Sequence, residues 1–372
     1  MEKKSNSIYM WEVKKGSIGV GECSKGNSRA KEDRLSSLPN ELIHRILSTV
    51  DAKLAVQTSV LSKRWRHLWT SLPVLNFQDS SFDDPVLFQY FVDHVLSHRD
   101  ASTNLQVLNF ASQEELQDEH VVDSIIDYVT LTPPISATIH FLSILAECVL
   151  GKLPQLSLCQ SLTTLKLSHI STETTSFDVV SLKQLYLFDC RFECGVEELL
   201  DPFEGCVNLT CLSLHRCNYY GGFETFRIFA PQLTNLSISW MRIDEVFDSD
   251  CVIELSTPKL QYFTYCDTDL YDFSAEVDLP CVEEVDIDVW CLNKDTDLLL
   301  RMIELFEMME SAEFVTLSPD MIDVMSMFPD ILDGRSSPFT RMQNFELNRD
   351  TPSVPPNVMA YLFAGSPGFR FN

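Results

Sequence analysis

Glycine is scarce in this chain, with 12 in 372 residues, and no glycine-rich turn stands beside a lysine at the spacing that cradles nucleotide phosphates. The nucleophile pattern G-x-S-x-G is missing as well. Apolar runs are short: none approaches the roughly 18 residues that a membrane-spanning helix needs, so no span and no membrane partner are expected. The twelve cysteines include no C-x-x-C pair and no Cys/His block at zinc spacing. The N-terminus has no apolar core of the kind a secretory signal requires, so these cysteines are expected to be reduced thiols in the cytoplasm and/or nucleus. Positive charge is also short, with 28 Lys and Arg against 54 Asp and Glu and a net charge of −26. Such a field repels a nucleic acid duplex and an anionic lipid surface, and neither is expected as a partner.

What is present divides the chain in four. Residues 1–34 hold eight Lys/Arg against five Asp/Glu, which leaves −29 on the remainder, and 1–33 reads as a flexible, mildly basic leader. A small helical module follows over 34–77, then a connecting helical segment over 78–103, then a repeat array over 104–372. In the module, LPNELIHRILSTV places proline at a helix start, Glu41 near the positive end and His44 and Arg45 near the negative end. Leu42, Ile43, Ile46 and Leu47 recur at helical spacing as one stripe. Asp51 caps a second helix with a small-residue face of Ala52, Ala55, Val56, Ser59 and Val60. Ser62 caps a third, with Trp65, Leu68 and Trp69 at i, i+3 and i+4. Three helices in so few residues make a marginal core, so the module is expected to complete its burial against something else. The stretch VLSKRWRHLW gathers two of the five tryptophans beside Lys63, Arg64, Arg66 and His67 in an otherwise acidic chain. A plain three-helix bundle is one alternative. A DNA-reading helix-turn-helix is another, against which stand the acidic remainder and the lack of a second basic stripe.

The segment LSSLPNELIHRILSTVDAKLAVQTSVLSKRWRHLWTSLPVLNF is similar to the F-box of the large plant F-box/leucine-rich-repeat family (FBD-like), with nearly every motif position present. The resemblance implies docking on the Skp adaptor, and through it on the cullin, of an SCF (Skp–cullin–F-box) ubiquitin ligase complex. It implies Leu38, Pro39, Leu42, Ile46, Val60, Leu61 and Trp65 as the apolar contact set, with Trp69 in the core. Lys63, Arg64 and Arg66 are then rim cations facing an acidic adaptor, where they tune association rate while buried apolar anchors hold the complex.

Beyond Phe77 the pattern L-x-x-L-x-L/I recurs. The paired apolar positions are Leu108/Phe110, Ile139/Phe141, Leu165/Leu167, Leu185/Leu187, Leu212/Leu214, Leu236/Ile238, Phe263/Tyr265, Val285/Ile287, Val315/Leu317 and Phe345/Leu347, at a drifting period of 20 to 31 residues. The expected fold is α/β: a short three-helix F-box followed by an irregular leucine-rich-repeat solenoid with parallel strands. Cys190 and Cys217 fall three residues after the second leucine, where such repeats satisfy backbone groups in the bend. Intervening residues face outwards. Tyr186, Phe188 and His215 make an aromatic middle and Glu284, Asp286 and Asp288 an acidic far end, which would suit a target with a basic, partly apolar segment. MAYLFAGSPGFRFN shows no polar capping repeat, so a truncated C-terminus is expected.

No chemistry is legible. His94 and His98 have a zinc-compatible i, i+4 spacing but lack the HExxH glutamate and a third ligand. Cys211 and His215 lie four residues apart on a strand, roughly 13 Å, too far for a nucleophile and its base. The carboxylates of VEEVDIDVW have no evident pocket. No enzyme, cofactor or metal is expected. The reading is a substrate-recognition subunit of an SCF-type ligase, with the repeats holding a target for ubiquitination. The alternative is a non-catalytic repeat protein that binds or inhibits a partner outside any ligase.

Overall fold

The structure is a computed structural model. It describes residues 37–364 apart from 101, 114–115, 117–119, 134, 174–175, 197, 244–250, 276–278, 291–293 and 349–353. The expected leader over 1–33 and the last residues, 365–372, lie outside the described residues. The chain forms two units, Met1–Leu38 and Pro39–Asn372, and the fold is that of the second.

The helices are α1 (Asn40–Leu47), α2 (Ala52–Gln57), α3 (Pro85–His98), α4 (His120–Leu131), α5 (Thr296–Met308), α6 (Pro319–Met327), α7 (Pro329–Leu332) and α8 (Pro356–Phe363). The strands are β1 (Val74–Gln78), β2 (Val107–Ala111), β3 (Phe141–Val149), β4 (Thr164–Thr172), β5 (Gln184–Phe188), β6 (Arg191–Glu193), β7 (Leu199–Leu200), β8 (Cys211–His215) and β9 (Asn218–Tyr220). They continue as β10 (Thr225–Phe229), β11 (Asn235–Ser239), β12 (Arg242–Ile243), β13 (Val252–Ser256), β14 (Tyr262–Asp267), β15 (Asp272–Ser274), β16 (Glu284–Val289), β17 (Phe314–Leu317) and β18 (Asn344–Leu347). A helical module followed by a parallel-strand solenoid is therefore the architecture, as the sequence pattern indicated.

In the module, α1 starts at Asn40, one residue later than a first-turn Pro39 would give, with Pro39 as the flanking residue. Its apolar stripe divides: Ile43 and Leu47 are buried, whereas Leu42 and Ile46 face solvent. Asp51 caps α2 by accepting from the Lys53 N–H at 3.0 Å. The rest departs from three α-helices. The chain tightens to a 3-10 turn over Thr58–Val60, and the third helix is a 3-10 helix over Trp65–Ser71. Ser62 serves it through its carbonyl, which accepts from the Trp65 N–H at 3.1 Å, and not through its hydroxyl. Three residues per turn keep Trp65 and Leu68 in one buried row and swing Trp69, at i+4, aside to a half-buried position.

The main sheet takes in a strand from within 34–77, ahead of the expected start of the array at 104. Strand β1 pairs parallel with β2, Leu75 opposite Leu108 and Phe77 opposite Phe110. One main sheet runs in the order β1-β2-β3-β4-β5-β8-β11-β14-β16-β17-β18. Each main-sheet strand before β18 buries alternate residues, and the leucine pairs of β4, β5 and β8 are at most 1% exposed; in β18 Phe345 is buried and Leu347 half-buried. One expected pair is corrected: β3 aligns Leu142 with Leu108 and Leu165, so its inward pair is Leu142/Ile144 and not Ile139/Phe141. Ile139 is buried as the residue that accepts the Ser161 hydroxyl, two residues before the strand.

The drift of the period has a structural cause. Where the return path between main-sheet strands is helical, as through α3, α4 and α5, it uses more chain. Through the middle of the array it runs through short extended pieces, of which β7, β10, β13 and β15 pair into a second parallel sheet that the periodicity did not reveal. An α-helix advances 1.5 Å per residue and a strand about 3.3 Å, so covering the same edge with a helix takes more residues.

One buried arginine joins module to array. Arg99, at the end of α3 and 5% exposed, donates to Leu72 O at 2.6 Å, to Asn104 O at 2.8 Å and to Thr103 O at 3.2 Å. Asn76 on β1 donates to Ser48 O and Val50 O, and itself accepts from Asn109 at 2.8 Å.

Candidate functional site

Two surfaces carry the residues singled out by sequence. The first is the outer face of the helical module. Leu42, Ile46, Leu54, Val60 and Leu61 are between 46% and 66% exposed. They belong to α1, α2 and the 3-10 turn with the residue after it, and Arg64, which precedes the third helix, ties that helix to the start of α1 by donating to the Asn40 side chain at 2.6 Å. Leu54 was missed by the motif pattern, although its spacing after Asp51 puts it on the face of α2 opposite Ala52 and Ala55. Trp65 stands apart from the other expected contacts. It is 4% exposed and lies beneath this face as its support, while Lys63 and Arg66 are exposed beside it. His44 meets the Ser71 hydroxyl at 3.2 Å, and its partial burial lowers its pKa. Pro39 is exposed, and Leu38 belongs to the N-terminal unit.

The second is the outward face of the strands. Here Phe188 and His215 sit opposite one another on β5 and β8 and stack at 4.5 Å, with burial lowering the His215 pKa. Tyr186 lies one step back on β5, where Lys166 covers its ring at 4.8 Å. The acidic residues Glu284, Asp286 and Asp288 share β16, and burial raises the Asp286 pKa while Asn348 donates to its carboxylate. The aromatic and acidic groups are not brought together: β5 and β16 are four strand steps apart, about 19 Å. Beyond Phe188 and His215, at the rim where the strands end, opens a polar cavity that the repeat pattern did not disclose.

Other candidates resolve plainly. His94 and His98 stack on each other at 4.0 Å along α3. Among the described residues no group of three His, Cys, Asp or Glu is arranged to hold a metal ion. Cys190 and Cys217 are buried on neighbouring repeats, and their thiols point at the carbonyls of Leu167 and His215. Burial keeps the Cys217 thiol protonated. Among the described residues no helix is long and apolar enough to cross a membrane.

Comparison with known proteins bears on both surfaces. The F-box domain family matches residues 35–77, the segment carrying the exposed apolar face. An F-box/FBD/LRR-repeat protein of Arabidopsis thaliana is 30% identical over 293 residues, covering 73% of this chain and 63% of the relative. A second Arabidopsis F-box/FBD/LRR-repeat protein is 32% identical over 246 residues, covering 62% and 52%. The chain belongs to the plant F-box/leucine-rich-repeat family. An F-box/LRR-repeat protein of the same plant is 29% identical over 271 residues, covering 70% of this chain and 68% of the relative. Together these matches extend from the F-box into the solenoid. The chain spans 45% to 68% of the length of the relatives it matches.

Proposed function

We propose that this F-box protein is a substrate-recognition subunit of a Skp–cullin–F-box ubiquitin ligase. In this reading the F-box docks the Skp adaptor and the solenoid holds a target. The observation that carries it is the apolar face: five large aliphatic side chains stand about half exposed on a module too small to waste them, and such a patch marks a protein-binding surface. Leu42, Ile46, Val60 and Leu61, with Leu54 added, are the anchors, and Pro39 extends the edge. Trp65 acts from beneath by fixing the face. Leu38 is included on the motif pattern alone. Lys63 and Arg66 sit at the rim, where they raise the encounter rate with an acidic partner. Arg64 acts through Asn40.

Catalysis of ubiquitin transfer then belongs to other subunits. The contribution of this chain is effective concentration: a target held at a fixed distance from a charged conjugating enzyme reacts almost as if tethered to it. The outward rows of the strands supply the target surface, with Glu284, Asp286 and Asp288 placed for a basic stretch. Such a subunit works in the cytoplasm or nucleus.

Titration of the purified chain against a plant Skp adaptor tests this. Wild type should bind saturably. Val60→Asp with Leu61→Asp should weaken binding by at least about tenfold, because burying two carboxylates in an apolar contact is costly. The melting temperature should be unchanged, since both side chains already face solvent. A folded wild type that ignores the adaptor would leave the solenoid as a binding protein outside any ligase.

A further inference from the structure

Among the described residues, every non-glycine residue with a left-handed backbone lines one cavity. His169, Asp189, Arg216 and Trp240 have φ between 52° and 59°, and they occupy the same corner of four successive repeats, just past β-strand pairing. Residues with a Cβ are disfavoured there, and glycine or asparagine would serve better. The repeats instead place an imidazole, a carboxylate, a guanidinium and an indole. Sparsely populated backbone of this kind collects at functional sites.

A second row lies alongside. Ser171, Arg191, Asn218 and Arg242 are in register across β4, β6, β9 and β12, and all four line the same cavity of about 840 Å³. With His215 this gathers three guanidinium groups and two imidazoles in a chain of net charge −26. The opposing carboxylates of the lining are Glu147 and Asp189. Asp189 is already engaged, 2.9 Å from Arg216 and 3.8 Å from His169. Arg242 rests 3.3 Å from Asp267, which lies outside the lining. Arg191 is exposed and has no ion-pair partner among the described residues.

We infer that this cavity binds an acidic peptide segment of a partner protein, with Arg191 and Arg242 receiving carboxylates and Trp240 flanking the segment beside Arg242. The inference deepens the proposed target-binding role of the solenoid and rests on it. Arg191 and Arg242 are two strand steps apart, about 10 Å, a span that an extended chain covers in about three residues. Guanidinium groups suit carboxylates through paired N–H donors. A small-molecule site would be mostly apolar, whereas this lining is polar with one indole.

Fluorescence anisotropy with the full chain tests the inference. The probe is a labelled octapeptide of alternating glutamate and glycine, the control replaces glutamate by lysine, and inorganic phosphate is the competitor. The acidic probe should bind saturably and the lysine probe should not. Arg191→Ala should weaken binding about tenfold, the loss of one charge-assisted contact. Arg216→Gly should be at least as heat-stable as wild type, because it relieves the left-handed backbone, and yet should bind less tightly. Equal affinity of wild type and Arg191→Ala, or no binding, would overturn the inference. So would full displacement by phosphate at equal concentration, which would assign the cavity to a small oxyanion. Skp adaptor binding measured on the same samples separates the two readings, since a chain that docks the adaptor but ignores the peptide loses only this one.

Discussion

The F-box and the middle of the solenoid expose opposite things. The F-box shows solvent its aliphatic side chains on relaxed helical backbone and keeps Trp65 inside. The middle repeats bury most of their large apolar groups and show solvent arginine, histidine and aspartate on left-handed backbone. The first surface is built for burial, where affinity comes from removing apolar area from water. The second is built for charge and direction, where ion pairs select the partner more than they add affinity. Under the proposed receptor role, holding ligase subunits while exchanging targets gives the two surfaces reason to differ in this way.

The comparison breaks first at the join. Arg99→Ala should lower stability by about 3 kcal/mol, because three backbone carbonyls lose a charged donor in a buried place. Chemical denaturation should show the loss, and should show whether F-box and solenoid still unfold in one transition.

A second test concerns what the solenoid buries. Asp201, just after β7, has its pKa pushed up to about 6 by burial, from an ordinary 3.8. The folded chain therefore binds more protons at this site than the unfolded chain between those values. The contribution of the site to stability rises as pH falls through 6 and levels off below 3.8. Asp201→Asn should stabilise the chain at pH 7.5 and have little effect at pH 4, read as melting temperature against pH beside wild type.

The smallest effect expected is at Tyr219, which is fully buried and stacks on Phe192 at 4.6 Å while its hydroxyl has no hydrogen-bond partner among the described residues. Tyr219→Phe should be neutral or stabilising by up to about 1 kcal/mol, because it removes an unsatisfied buried group and keeps the ring. A clear loss of stability would show that the hydroxyl has a partner in solution.

The F-box was legible because its motif is local: proline, acidic first turn, apolar stripe and capping aspartate lie within a few residues of one another. The strands were legible because alternation of apolar residues reports which side chains face inwards. Less was readable at Trp65 and Trp69. Their roles depend on whether the turn holds three residues or 3.6, and both geometries suit the same ten letters. The offset at Ile139 has a similar origin, since an apolar pair preceding a strand looks like the strand itself.

Sequence by itself determined the two modules, the positions of most main-sheet strands and their burial alternation, because each follows from backbone geometry repeated over short distances. Only the tertiary structure decided which aliphatic residues of α1 stay in solvent, where the return paths are helical, and that Arg191, Arg216, Arg242, His169 and Trp240 share one cavity. Those residues are 20 or more positions apart from repeat to repeat, and their neighbourhood is set by parallel register between strands. Periodicity says which way a side chain faces, and register says whom it meets.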